Sequence, residues 1–123
     1  MEQAQIVADA GADCIEPGAA GVLLPGDDND AAWQERRKAF LNLPVPCETF
    51  NLFLPGHFRI VGTESERTDA ETIGRYVFTA LRRAREVGGQ VIVFGSGRAR
   101  RVPDGFDRQI AADQIRDFLP VSS

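Results

Sequence analysis

The sequence has few of the side chains that most often carry metal binding and catalysis. Its 123 residues include one histidine, His57, and two cysteines, Cys14 and Cys47, without a Cys-x-x-Cys spacing. A structural zinc site needs about four ligands, so this set argues against one. No metal site and no metal cofactor are predicted, and both cysteines are expected to be buried free thiols that pack as small apolar residues.

Long apolar runs and an excess of positive charge are also missing. No apolar run approaches the roughly 18–20 residues of a membrane span, so no membrane association is predicted. The net charge is −4, from 18 acidic and 14 basic residues, whereas nucleic-acid-binding domains are usually basic, so nucleic acid is not an expected partner. No basic segment followed by an apolar core opens the sequence, so no signal peptide is predicted and a cytoplasmic location is expected.

Helix-like and strand-like patterns alternate along the chain. Apolar residues at helical spacing predict helices at residues 2–10, 30–41, 68–87 and about 107–119. Short apolar runs predict strands at residues 13–16, 46–54 and 91–94, with residues 57–61 as a candidate fourth strand. Connections as long as a helix require parallel strands, so an α/β fold of parallel βα units is predicted.

Capping residues mark the helix starts. Asp30 is predicted to cap the second helix, and Thr68 with Glu71 has the form of a capping box at the start of the third. The last helix is predicted to begin near Asp107.

The segment VIVFGSGRARRVPDGF, residues 91–106, carries the clearest functional signal. Its apolar start predicts a strand buried on both faces, which stops at Gly95-Ser96-Gly97 and is followed by arginines. In parallel α/β proteins, ligands bind beyond the carboxyl ends of the strands. A glycine turn brings backbone N–H groups close to an anion, and arginines supply charge and forked donors. The segment therefore predicts a site for a small anionic or sugar-like ligand.

Each of these residues also has a plainer interpretation. The glycines can simply permit a tight turn, and Arg98 and Arg100 can pair with Glu16 or Glu48 instead of a ligand. His57 can act as an acid, a base or a ligand, or it can be a solvated loop residue without a carboxylate partner.

Three segments, AGADCIEPG, PCETFNLFLPG and VIVFGSGRARRVPDGF, resemble successive strand-loop units of the sugar phosphate isomerase/epimerase family. This family has the xylose isomerase-like TIM (β/α)8 barrel, which needs about 250 residues. The resemblance runs from residue 9 to residue 119 and covers helix 1 to helix 4 of such a barrel. It implies that residues 1–123 form a single domain, a half-barrel of three to four strands with flanking helices.

The resemblance also implies what is absent. In the family, a divalent metal and the paired glutamates that move the proton lie in the second half of the barrel, so no metal ligand and no catalytic residue is carried over. We therefore expect that isomerase activity is absent. What remains is the flank of a substrate pocket, to which the resemblance and the strand ends assign Glu16, Asn51, His57, Gly95, Ser96, Gly97, Arg98 and Arg100.

Two architectures follow from these observations. A half-barrel would leave apolar strand edges open, which predicts a homodimer that buries them and binds a small phosphorylated or sugar-like ligand. The alternative is a small flavodoxin-like α/β domain with a binding or structural role. A fragment of a longer gene is a third possibility.

Overall fold

The computed structural model describes residues 2–27 and 29–122. The elements along the chain are helices α1 (Glu2–Asp9), α2 (Ala19–Val22) and α3 (Asp30–Leu41), strand β1 (Thr49–Phe50), helix α4 (Ala70–Glu86), strand β2 (Val91–Ile92) and helix α5 (Arg108–Ser122). None of these helices, within the described residues, is long and apolar enough to cross a bilayer.

The predicted sheet of three to four parallel strands, and with it half of a TIM barrel, is wrong. Within the described residues, the sheet has two strands of two residues each, and the chain is mostly helical. β1 and β2 run parallel, with Thr49 opposite Val91 and Phe50 opposite Ile92. Residues 13–16 and 57–61 form no strand, and a single isolated bridge joins Gly18 to Asn51 beside β1. The sheet is therefore also too small for the flavodoxin-like alternative.

Backbone chemistry explains why the strands are short. Pro17 and Pro46 have no N–H group and cannot donate to a ladder. The segment before α2 is joined to the β1 segment by separate hydrogen bonds, from Ile15 N to the Pro46 oxygen and from Asn51 N to the Pro17 oxygen. Leu52 has a φ of +45°, which turns the chain out of the extended conformation directly after the bridge.

The apolar run of β2 is buried on one face, not on both as predicted. Val91 is 52% exposed and Val93 is 45% exposed, whereas Ile92 packs against the core beside the fully buried Phe50. Side chains alternate between the two faces of a strand. The face that carries Val91 and Val93 is therefore left uncovered by the described residues.

Helix positions follow the predictions closely, but two caps do not. Asn29, and not Asp30, caps α3, because its Oδ1 accepts hydrogen bonds from the N–H groups of the first turn. Asp69 caps α4 by accepting from Thr72 N at 3.1 Å. The Thr68 hydroxyl is occupied elsewhere, since it accepts from Arg59 N at 2.8 Å, so the predicted capping box does not form. Asp107 caps α5, as its position predicted.

Helix α4 lies at the centre of the fold and contributes to two apolar clusters. The first cluster includes Phe53, Phe58, Ile73, Val77 and Phe118. The second includes Leu23, Trp33, Phe40, Phe50 and Ala84. The tertiary packing of an amphipathic helix is the usual source of its stability in proteins, and α4 has one such apolar stripe.

A Schellman motif ends α4. Gly88 adopts a φ of +84° and donates to the Arg85 oxygen, while Gly89 N donates to the Ala84 oxygen at 2.7 Å. The pair of glycines therefore stops the helix, as the sequence predicted, and turns the chain directly into β2.

Candidate functional site

The loop after β2 turns at a serine and not at its glycines. Ser96 has a φ of +37°, and its oxygen accepts from Arg100 N at 3.2 Å, which closes one turn of chain. Gly95 and Gly97 have no positive φ, and a Cβ at either position would meet nothing within 4 Å. The turn itself does not require these glycines, but their bare backbone leaves open space beside Ser96.

This loop meets the loop that follows β1. Leu54 N donates to Ser96 Oγ at 3.1 Å, which joins the two loops. Between them lies a cavity of about 310 Å³, here called the Ser96 cavity, lined by Ala20, Leu52, Leu54, Pro55, Gly56, Ser96, Gly97, Arg98 and Ala99. Both loops leave the carboxyl ends of the parallel strands, where ligands collect in such sheets.

Arg98 lies at the wall of the Ser96 cavity without a charged partner. Its guanidinium is next to Gly56, where an added Cβ would come within 3.1 Å of Nη1. No ion pair among the described residues includes Arg98 or Arg100, so the pairing with Glu16 or Glu48 that the sequence allowed is not formed there.

Arg100 points back onto its own loop. Its Nε donates to the Gly95 oxygen at 2.7 Å, and its guanidinium lies 5.6 Å from the centre of the Phe94 ring. It holds the turn closed and is not part of the cavity lining.

Glu16 lies in the segment that pairs with the end of β1 on the side away from β2, and Asn51 directly follows β1. The Glu16 carboxylate accepts from Thr49 Oγ1 at 2.8 Å and from Asn51 Nδ2 at 3.4 Å. Asn51 Oδ1 is buried and accepts no hydrogen bond from any described residue. Neither side chain lines the Ser96 cavity, so the structure does not bring them together with the arginine loop.

His57 lies beside a different cavity of about 250 Å³, here called the His57 cavity. Its lining residues are Pro25, Gly26, His57, Phe58, Thr72, Arg75 and Tyr76. The imidazole packs edge-on against Phe58, with 4.9 Å between ring centres. The eight predicted site residues are thus distributed over three places.

The two cysteines differ in their surroundings. Cys47 is buried as predicted, and its pKa is raised to about 11, mainly by burial, with the Cys14 thiol and the Glu16 carboxylate adding smaller effects. Cys14 is exposed, which contradicts its predicted burial. Within residues 2–27 and 29–122, no group of three or more His, Cys, Asp or Glu side chains is arranged to hold a metal ion.

Sequence reasoning missed the apolar wall of the Ser96 cavity. Leu52 and Leu54 were attributed to a buried strand, yet they line the cavity, and Ala20 lies in a helix that was not predicted. Pro55-Gly56, which ends the second predicted strand, was the signal that a loop faces the arginines. Comparison of the chain with protein-family models, with curated proteins and with solved structures finds no match in any of the three.

Proposed function

We propose that this chain binds a small phosphorylated, sugar-like ligand in the Ser96 cavity. The observation that supports this most directly is the position of Arg98, whose guanidinium lies at the cavity wall without a carboxylate partner among the described residues. A guanidinium with free donors is well suited to bind a phosphate through two parallel hydrogen bonds.

The backbone adds further donors. The N–H groups of Gly97 and Arg98 donate to no atom of the described residues, and they follow the left-handed Ser96. Successive free N–H groups in such a turn form a small concave surface that favours an anion. None of the described residues that line the cavity is acidic, and Leu52, Leu54 and Pro55 supply an apolar wall for the carbon part of the ligand.

The lining supports binding and not isomerisation. Moving a proton between the carbons of a sugar requires a general base and a general acid within hydrogen-bonding reach of the substrate. Among the residues that the structure describes, no carboxylate and no histidine lines the Ser96 cavity. We therefore propose a ligand-binding relative of the sugar phosphate isomerases and epimerases that lacks their activity.

Replacing Arg98 by glutamine is expected to weaken the binding of a hexose phosphate by about tenfold, the loss of one charge-assisted hydrogen bond or more. Isothermal titration of the wild-type protein and the variant measures the change. Arg101→Gln is the matched control, because it removes the same charge from the same loop at a position outside the cavity lining.

Arg101→Gln should bind the hexose phosphate as the wild type does, and the unphosphorylated hexose should bind far more weakly. Equal losses in both variants would mean a diffuse charge effect and would contradict a site at Ser96. Absence of saturable binding to the wild type would do so as well.

We also propose that two copies of the chain associate through the uncovered face of the sheet. Parallel sheets are normally covered on both faces, yet Val91 and Val93 are exposed here. β2 pairs only with β1 among the described residues, so its outer edge is open. Glu16 lies in the segment on the far side of β1, and three arginines follow β2. The two sides of the sheet therefore carry opposite charges, and each side of one copy can face the oppositely charged side of a second copy.

Light scattering after size exclusion is expected to show a dimer for the wild type. Val93→Lys should raise the dissociation constant more than about tenfold, since the interface would then bury an unpaired charge. Ile6→Lys places the same charge on an exposed apolar position of α1 and should leave the dimer intact. A wild-type monomer, or a Val93→Lys variant that dimerises as tightly as the wild type, would refute this interface.

A further inference from the structure

The His57 cavity has walls that are held in place by the rest of the fold. One wall is formed by Pro25 and Gly26, which directly follow Leu23 and Leu24 in the chain. The buried Arg83 donates from Nη1 to the carbonyl oxygens of Leu23 and Leu24 at 3.0 and 2.6 Å. Arg83 Nη2 also donates to the Asp27 oxygen at 2.9 Å, on the other side of the turn. The turn is thereby tied on both sides to the last turn of α4, so hydrogen bonds to the helix hold the Pro25-Gly26 wall in place.

The floor of the cavity is aromatic and equally fixed. Tyr76 donates its hydroxyl to the Phe53 oxygen at 2.8 Å, and burial raises the pKa of this phenol, so it remains a donor. The Phe58 ring packs against Tyr76 with 5.0 Å between ring centres. Together with Pro25, these rings form an apolar surface.

Two basic side chains line the same cavity, and none of the described residues that line it is acidic. Neither the side chain of His57 nor that of Arg75 makes a hydrogen bond or an ion pair with any other described residue. Two carboxylates near these walls in the sequence accept backbone hydrogen bonds, Asp27 from Asn29 N at 2.8 Å and Asp69 from Thr72 N. A preformed apolar floor with basic groups beside it is the composition of a site for an organic anion.

We propose that the His57 cavity is a second binding site and that it takes a small organic acid, a carboxylate with a short apolar chain. The Arg75 guanidinium binds the carboxylate with its fork of donors, and the imidazole of His57 offers an N–H donor whichever nitrogen carries the proton. The apolar chain lies on Phe58, Tyr76 and Pro25. The volume of about 250 Å³ is below that of most drug-sized sites, which restricts the ligand to roughly ten heavy atoms or fewer.

This site is independent of the Ser96 cavity. The two cavities share no lining residue, although Gly56 and His57 are neighbours in the chain. The Ser96 cavity offers backbone N–H groups and a guanidinium, which suit a phosphate, whereas the His57 cavity offers side-chain donors above aromatic rings. Each proposal can therefore fail without the other.

Titration of isotope-labelled protein with butyrate, followed by nuclear magnetic resonance, tests the proposal. The backbone amides of Gly26, His57 and Thr72 are expected to shift and to saturate together. Arg75→Gln should weaken butyrate about tenfold and His57→Leu about threefold, since the first removes the positive charge with its fork of donors and the second removes the N–H donor. Arg85→Gln removes the same charge from an exposed side chain near the end of α4 and should leave binding unchanged.

Arg98→Gln should also leave butyrate binding unchanged, because Arg98 lines the other cavity. Inorganic phosphate should shift these amides more weakly than butyrate. Shifts that never saturate, an Arg85→Gln loss equal to that of Arg75→Gln, or phosphate that binds at these amides as tightly as butyrate would overturn the proposal.

Discussion

Replacing Arg83 by leucine is expected to lower the free energy of unfolding by about 3–4 kcal/mol. The Arg83 side chain is completely buried, and its donors reach the carbonyl oxygens of Leu23, Leu24 and Asp27. Its guanidinium also lies 5.3 Å from the centre of the Trp33 ring. Leucine fills much of the volume but leaves the carbonyl groups of Leu23 and Asp27 without a donor, while that of Leu24 keeps only the hydrogen bond from Asp27 N, and a buried polar group without a partner is costly.

Urea unfolding of the variant and the wild type measures the loss. Arg82→Leu is the matched control, because Arg82 is the neighbouring residue of the same helix, with a side chain 44% exposed and a long contact of 3.7 Å to Asp30. An exposed pair of this kind contributes about 0–1 kcal/mol. The loss of unfolding free energy for Arg83→Lys should fall between those for Arg82→Leu and Arg83→Leu, since one ammonium group cannot reach carbonyl groups on both sides of the turn. Equal losses for Arg82→Leu and Arg83→Leu would disprove the role of this arginine.

Replacing Gly89 by alanine is expected to lower the free energy of unfolding by about 2–4 kcal/mol. A Cβ at this position would lie 2.7 Å from Phe50 Cε2 and 2.8 Å from the Ala84 oxygen. The carbonyl is part of the helix backbone, and the Phe50 ring is completely buried, so neither can move aside without disturbing the core. The turn from α4 into β2 would have to shift.

Two other glycines serve as controls for the Gly89→Ala experiment. Gly88 adopts a φ of +84° in open space, so Gly88→Ala should cost only about 1 kcal/mol of backbone strain. Gly74 lies inside α4, and an added Cβ would meet nothing within 4 Å outside the helix backbone, so Gly74→Ala should stabilise the protein by about 0.5–1 kcal/mol. In thermal unfolding, Gly89→Ala should have the lowest melting temperature of the three variants and Gly74→Ala the highest. A Gly89→Ala variant as stable as Gly88→Ala would show that the core yields easily there.

The helices could be predicted because their signals are local. The apolar stripe of α4, with Ile73, Val77 and Ala80, repeats at the helical period, and each of these residues is buried. The cap positions were wrong by one residue at Asp30 and at Thr68. An adjacent side chain competes for each cap, and the outcome depends on contacts such as that between Thr68 and Arg59, which are distant in the sequence.

The extent of the sheet could not be predicted, because strand length depends on pairing. The run VIVF has the composition of a strand with two buried faces, but burial requires neighbours, and those neighbours are interrupted by Pro17, Pro46 and the left-handed Leu52. Composition reports a preference for burial and does not report whether a partner is available. The exposed Val91 and Val93 show this difference.

The candidate site stays a prediction. The glycine and arginine loop after an apolar run supplied Ser96, Gly97 and Arg98, and these three residues line one cavity. The distribution of the other residues could not be derived from their positions at strand ends. Asn51 directly follows β1 and pairs with Gly18, and His57 lines a different cavity from its neighbour Gly56.

The hydrogen bond from Leu54 N to Ser96 Oγ has a chemical consequence for the Ser96 cavity. The serine oxygen accepts a hydrogen bond there, and its own hydroxyl proton remains available to a guest. The guanidinium of Arg98 and the amide N–H of Gly97 also donate hydrogen bonds. These three donors favour an ionised oxyanion over an amine, which must itself find an acceptor.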